Sequence, residues 1–283
     1  MKKILCPTDF SDTATRAVEY AAHIAKLSDA HLTLLHVIHL PIVDTSETAL
    51  VASELLGEQM RDAAEKLRAL THHISEKYEA NRGGGFICDY ILKEALLTDI
   101  TEQLTKSEGY DLIVMGTTGG GNALEELLIG SNTEAVVSNI KCPLLAIPAK
   151  MDIRKIEKIV YASDYIPEDK TALGFVIDMA HLFGATLDVV HVVKEATPES
   201  ASKAEQFWSQ LETAYPGVPM HFQEVVSKHR DDGLKEYFRM VNGSILAILR
   251  KDKGFLRELF SQSLADRMTY QAEVPLLVMQ CKK

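Results

Sequence analysis

Apolar and polar positions follow one another along this chain in two rhythms: short unbroken apolar runs, and longer stretches with a single apolar face. In the first half the runs predict β-strands at Lys3–Cys6, His31–Val37, Phe86–Leu92, Asp111–Met115 and Leu144–Ile147. Between them, apolar residues at three- and four-residue steps predict helices over 12–27, 47–80, 95–107 and 132–139. Alternating strand and helix implies a parallel sheet with helices on both faces. Runs such as LTLLHV and DLIVM are unbroken because central strands of such a sheet are buried on both sides. Within 46–78, Leu55, Leu56, Met60, Ala63, Leu67 and Leu70 form a stripe expected to face the sheet, with its N-terminal part able to project toward a partner.

The pattern then repeats. A shift of 155 residues lays KILCPTDFSDTATRAVEYAAHIAKLSDAHLTLLHVI (3–38) on KIVYASDYIPEDKTALGFVIDMAHLFGATLDVVHVV (158–193) without a gap. Lys3, Ile4, Asp9, Ala17, Ala25, Leu27, Ala30, Leu32, His36 and Val37 all meet identical residues. Pro143-Leu144-Leu145 falls on Pro275-Leu276-Leu277 at a different shift, which places an extra stretch in the first half, within 39–80. Repetition of this length means two domains of one fold, 1–150 and 151–283. The last strand of each half, PLLAIP and PLLVMQ, is short, apolar and preceded by proline. An apolar edge calls for pairing, here expected inside the chain as a pseudo-dimer, with a homodimer of chains also possible in principle.

In an open parallel sheet ligands bind at the carboxyl ends of the strands, where the strand order switches direction. Asp9 follows strand one, Val37 ends strand two, and strand four runs into the glycine-rich segment DLIVMGTTGGGNALEELLIGSNT (111–133). Glycines there let backbone N–H groups close around an anion, and the helix beginning near Asn132 directs the positive end of its dipole at the same space. The segment is not a Walker loop, since GTTGGG carries no GK[ST].

Composition narrows the partners. With 283 residues, 46% hydrophobic and 25% charged, the chain has the profile of a soluble globular protein. A net charge of −10 argues against nucleic acid, whose binders present a basic face. No apolar run approaches the ~18 residues that would span a bilayer. MKKILCPTDF breaks at Pro7, so it reads as a first strand and not a signal peptide. Cys6, Cys88, Cys142 and Cys281 form no CxxC and read as reduced thiols of a cytoplasmic protein. His36 and His191 are matched by the repeat and are expected to pack at strand ends with a satisfied ring nitrogen. His72, His73, His221 and His229 lack metal-ligand spacing.

CPTDFSD (6–12), LLHV (34–37), DLIVMGTTGG (111–120), GSNTEAVV (130–137) and CPLLAIP (142–148) together resemble the universal stress protein family, as a tandem two-domain member. The resemblance implies two Rossmann-like (adenine nucleotide alpha hydrolase-like) α/β domains, each with a five-stranded parallel sheet of order 3-2-1-4-5. It also implies an ATP site in the branch that carries G-x2-G-x9-G-[ST] after strand four. Here Gly116-x2-Gly119 is followed by ten residues, not nine, before Gly130-Ser131; either Gly120 takes the second role or the loop holds a one-residue bulge. The family's roles place Pro7, Thr8 and Asp9 around adenine and ribose, with the Asp9 carboxylate accepting from ribose hydroxyls, and Val37 against the base. Met115 and Gly116 would begin the turn around sugar and phosphates. Gly119 (or Gly120), Gly130, Ser131, Asn132 and Thr133 would donate N–H or hydroxyl groups to the phosphates of ATP, ADP or AMP, with Mg²⁺ sharing their charge.

The second half departs from this pattern. Counted back from the shared proline, Gly116 aligns with Ile248, Gly130 with Gln262 and Thr133 with Ala265, while Ser263 matches Ser131. Pro7 becomes Ala162; Asp164 persists and is expected to cap the following helix. This half is therefore expected not to bind nucleotide. Three functions fit at this level: a nucleotide-binding regulatory protein, a slow ATP-hydrolysing enzyme of the same fold, and a ligand-free association scaffold. No catalytic nucleophile–base pair is recognisable, the protein partner is not named by the sequence, and fold alone does not choose among the three.

Overall fold

A computed structural model describes residues 1–39, 46–79, 85–117, 131–148, 155–250 and 275–280; for 46–52 and 131 it gives the backbone alone. The chain divides into two compact units, Met1–Ile153 and Arg154–Lys283.

The first unit runs β1 (Lys3–Pro7), α1 (Asp12–Ser28), β2 (His31–Ile38), α2 (Ser46–Glu79), β3 (Cys88–Glu94), α3 (Leu97–Ser107), β4 (Leu112–Gly116), α4 (Ser131–Asn139), β5 (Leu144–Ile147). Its strands are all parallel, in the order β3-β2-β1-β4-β5. Ile4, Leu5, Leu32, Leu34, Leu35, Leu112, Ile113 and Val114 are fully buried, as apolar runs covered on both faces require. Helix α1 is set by Ser11, whose side chain accepts from the Ala14 N–H (3.2 Å), and stops at Asp29, in the left-handed region at φ 50°. Its face toward the sheet carries Ala17, Ala21, Ala22 and Ala25, small enough for close helix–sheet approach.

Edge strand β3 begins two residues later than its apolar run suggests, and ends two residues later. Leu32 pairs with Cys88 and Ile38 with Glu94, so the full length of β2 sets the extent of its neighbour. No residue of β3 is fully buried, which is why polar Lys93 and Glu94 belong to it. Helix α2 has 34 residues, on the order of 50 Å at 1.5 Å each. Burial along it starts at Ala63 and continues at Leu67 and Ile74. Leu55 is 46% exposed, so the N-terminal part of the stripe does not share in the core.

The second unit repeats the plan: β6 (Lys158–Ala162), α5 (Pro167–Phe183), β7 (Thr186–Val193), α6 (Pro198–Ala214), β8 (Met220–Val226), α7 (Arg230–Met240), β9 (Ile245–Arg250), β10 (Leu276–Gln280). Its parallel strands lie in the order β8-β7-β6-β9-β10. Both units are thus α/β sheets of order 3-2-1-4-5. The extra stretch of the first half is in α2, whose counterpart α6 has 17 residues. No helix among the described residues is long and apolar enough to cross a membrane.

Candidate functional site

In each unit the order of strands switches between its first and fourth strands, β1 and β4 in the first, so the crevice opens above their carboxyl ends. In the first unit β1 ends at buried Pro7, and the chain leaves the sheet through Thr8, whose N–H still donates to the Leu35 carbonyl (2.8 Å). Beyond it the backbone turns sharply: Phe10 has φ 65°, its N–H donating to Thr8 Oγ1 (3.1 Å). At the apex Asp9 is exposed, and one carboxylate oxygen accepts from the Ser11 N–H (3.0 Å). No cation pairs with Asp9 among the described residues. Val37 is half-buried, two residues past the last β1–β2 pair at Pro7–Leu35, so it overlooks the space that the departing chain opens.

On the other side of the crevice β4 ends at Met115 and Gly116. Met115 is buried. A Cβ on Gly116 would fall 2.8 Å from Thr13 Cγ2 and 3.1 Å from the Thr13 carbonyl carbon and oxygen. Glycine is therefore required here by the approach of α1 to β4, whether or not a ligand is present. Thr133, in the first turn of α4, is buried, and its hydroxyl donates to the Gly116 carbonyl (3.1 Å). That hydroxyl ties α4 to the end of β4. Asn132 is exposed at the same helix end. Pro7, Thr8, Asp9, Val37, Met115, Gly116, Asn132 and Thr133 thus all sit at the carboxyl edge. Gly119, Gly120, Gly130 and the side chain of Ser131 lie outside the described residues, as do Gln262, Ser263 and Ala265 of the second half.

The same edge of the second unit is built differently. Ile113 pairs with Leu144, and Leu246 with Leu276; Gly116 faces Ile147 as Leu249 faces Met279. Leu249, not Ile248, therefore occupies the place of Gly116. Counting from the shared proline misses this because the first half has one residue more between these strands. Leu249 is buried, and Thr13 is replaced by exposed Glu168.

Asp164, expected as a helix cap, does not cap α5. Its carboxylate instead forms an ion pair with Arg230 at the start of α7. The cap of α5 comes from Asp169, which accepts from the Ile166 N–H (3.1 Å). Asp169 is 1% exposed and accepts further from the Tyr161 hydroxyl (2.6 Å), the Ser163 hydroxyl (2.8 Å) and the Asp164 N–H (3.0 Å). An internal carboxylate thus takes the donors of this loop, the arrangement in which a buried charge is tolerated. In the first unit Ala14 holds the place of Asp169, Leu97 that of Arg230, and Cys6 that of Tyr161. No local motif marks this substitution; only aligning Ala14 with Asp169 through the repeat exposes it.

Both repeat-matched histidines pack at strand ends with a satisfied nitrogen. His36 Nδ1 lies 2.7 Å from the Thr8 carbonyl and His191 Nδ1 2.7 Å from that of Ser163. Burial pushes the Cys88 and Cys142 thiols up to about 12 and raises Cys6 as well, so the described thiols are inert. Among the described residues no group of three or more His, Cys, Asp or Glu could hold a metal ion.

The model of the universal stress protein family matches this chain twice, at residues 1–148 and 155–280. Universal stress protein MJ0531 of Methanocaldococcus jannaschii is 35% identical over 152 residues, covering 52% of this chain and 81% of that protein. Universal stress protein YxiE of Bacillus subtilis is 29% identical over 155 residues, covering 51% and 97%. A solved universal stress protein from Archaeoglobus fulgidus shares the fold over the whole length, with a TM-score of 0.72 at 18% identity, covering 99% of this chain and 98% of that one.

Proposed function

The chain belongs to the universal stress protein family, and we propose that it is a regulatory protein whose N-terminal unit binds ATP or a related adenine nucleotide, the C-terminal unit serving structure or partner binding. The observation that carries this reading is the contrast between two repeat-related edges. In the first unit Asp9 stands exposed with no cation paired to it among the described residues, at the same carboxyl edge as half-buried Val37 and the start of α4. In the second, the equivalent aspartate is neutralised by Arg230, the loop donors are taken by Asp169, and Leu249 fills the glycine position. Among the described residues, the first edge keeps Asp9 free of a cation while the second is completed by its own side chains.

In this reading the Asp9 carboxylate accepts from ribose hydroxyls, and Pro7, Thr8 and Val37 form the base wall. The N-terminus of α4 and the glycines at 119, 120 and 130 meet the phosphates through backbone N–H groups. Phosphates held by neutral donors need a counter-ion, and Mg²⁺ supplies it as part of the ligand. Residue roles here are those of binding; no step of covalent chemistry is assigned.

The test is direct. The purified protein is examined for co-purifying nucleotide, and ATP binding is measured with and without Mg²⁺ in the wild type and in Gly130→Gln, which installs the second half's side chain. Binding by the wild type and its loss in Gly130→Gln are expected. A wild type that binds no adenine nucleotide, or a Gly130→Gln variant of undiminished affinity, would sink the reading or its placement of the phosphates.

A further inference from the structure

One side chain of β2, His36, holds the loop that presents Asp9. The His36 ring meets the chain both before and after Asp9. Its Nδ1 lies 2.7 Å from the Thr8 carbonyl oxygen, and its ring lies 4.6 Å, centroid to centroid, from Phe10. A carbonyl oxygen only accepts, so Nδ1 carries the hydrogen and donates. That oxygen shares a rigid peptide plane with the Asp9 nitrogen, so fixing it fixes the orientation in which Asp9 leaves the strand. Phe10, in turn, holds a left-handed backbone at φ 65°, a conformation that is unfavourable for a non-glycine residue and needs support from its surroundings.

The second unit shows the same device with added ties. His191 Nδ1 is 2.7 Å from the Ser163 carbonyl, Tyr165 has φ 59°, and its ring centroid is 3.9 Å from that of His191. There the loop is also gripped by Asp169 and by the Arg230–Asp164 pair. The first unit has Ala14 and Leu97 in those places, and neither side chain can hydrogen-bond. The clamp that is one of several side-chain ties in the second unit's loop is, in the first, a side-chain tie from β2 that adds to the Thr8 N–H bond to the Leu35 carbonyl.

We propose that His36 is the positioning residue for ribose recognition: by donating to the Thr8 carbonyl, it holds the Asp9 carboxylate where a nucleotide's ribose hydroxyls reach it. This rests on the reading of Asp9 given above and adds the residue that makes that reading selective. The His36 donor acts through Asp9 on the sugar end of the site and not on the phosphates. Its loss therefore reduces discrimination between a ribonucleotide and a sugar without hydroxyls.

The experiment compares ATP with 2′,3′-dideoxy-ATP in the wild type, in His36→Phe and in His36→Asn, with His191→Phe as control. His36→Phe keeps a ring against Phe10 and loses the donor, while His36→Asn keeps an N–H donor at a similar reach. The wild type is expected to prefer ATP about tenfold, the effect of losing hydrogen bonds to a charged acceptor. That ratio should fall toward one in His36→Phe and be kept in His36→Asn and His191→Phe. A ratio unchanged in His36→Phe, or lost equally in the Phe and Asn variants, overturns the proposal while leaving nucleotide binding intact. A wild type that binds neither nucleotide overturns the underlying reading and the proposal with it. Nitrogen-15 shifts of the His36 ring in the wild-type protein provide a check that needs no variant. The hydrogen is expected on Nδ1, and a ring carrying it on Nε2 alone contradicts the clamp.

Discussion

Replacing Asp169 by alanine tests whether the second unit is completed from within. The carboxylate, itself buried, accepts from two hydroxyls, at 2.6 and 2.8 Å, and from two backbone N–H groups, at 3.0 and 3.1 Å. Alanine leaves the Tyr161 and Ser163 hydroxyls and the Asp164 and Ile166 N–H groups to find other partners. Each unsatisfied buried donor costs about 1–3 kcal/mol. The variant no longer desolvates a carboxylate, and this offsets part of that cost. The net loss expected is about 3–5 kcal/mol, comparable with breaking a buried charged pair. For a unit of this size that lowers the melting temperature by roughly 10–15 °C. Asp169→Asn is the graded control, because its oxygen can still accept from Ser163, Asp164 and Ile166, and about 1–2 kcal/mol is expected. The chain's one tryptophan, Trp208, lies in α6 with its ring 5.5 Å from Phe222. Its fluorescence during urea unfolding therefore reports on the second unit alone. A shift equivalent to less than ~1 kcal/mol in Asp169→Ala would refute the role given to this carboxylate.

Two further outcomes follow from the same geometry. Gly116→Ala should destabilise the first unit by about 1–3 kcal/mol, because its Cβ meets the Thr13 backbone at 3.1 Å as well as the Thr13 methyl. Thr13→Ser should recover part of that loss in a double-mutant cycle by thermal melting, and a neutral Gly116→Ala would contradict the packing. In a Cys281→Ser background, Cys88 and Cys142 should resist a thiol reagent at pH 8, where thiols raised to about 12 are about one ten-thousandth ionised. Labelling should become fast in urea, and rapid labelling of the native protein would count against thiols raised so far.

Most of the architecture could be read from apolar runs, because central strands of a doubly covered sheet leave unbroken signals. β1, β2, β4 and β5 fall where LTLLHV, DLIVM and their neighbours place them. The edge strand β3 was harder to bound, since a half-exposed strand carries polar residues such as Lys93 and Glu94 that look like its end. The carboxyl-edge placement of Asp9, Val37, Met115 and Gly116 followed from topology. What those residues do locally did not. Gly116 reads as a phosphate glycine, yet its place is already demanded by Thr13, and the Thr133 hydroxyl is spent on the Gly116 carbonyl. Asp164 and Asp169 lie five residues apart in one loop-to-helix junction. Choosing the capping carboxylate required the backbone turn at Tyr165, which no local pattern announces. The alignment of Gly116 with Ile248 failed by one position for a simple reason: strand pairing sets the register, and a loop of different length carries any count past it.

The central claim, that one unit is open and the other completed by its own residues, reduces to a stoichiometry. Equilibrium dialysis of the wild-type chain against saturating ATP and Mg²⁺ should find one nucleotide bound per chain. Two per chain would show that Asp169, Arg230 and Leu249 do not close the second unit, and none would show that the edge around Asp9 is not a nucleotide site.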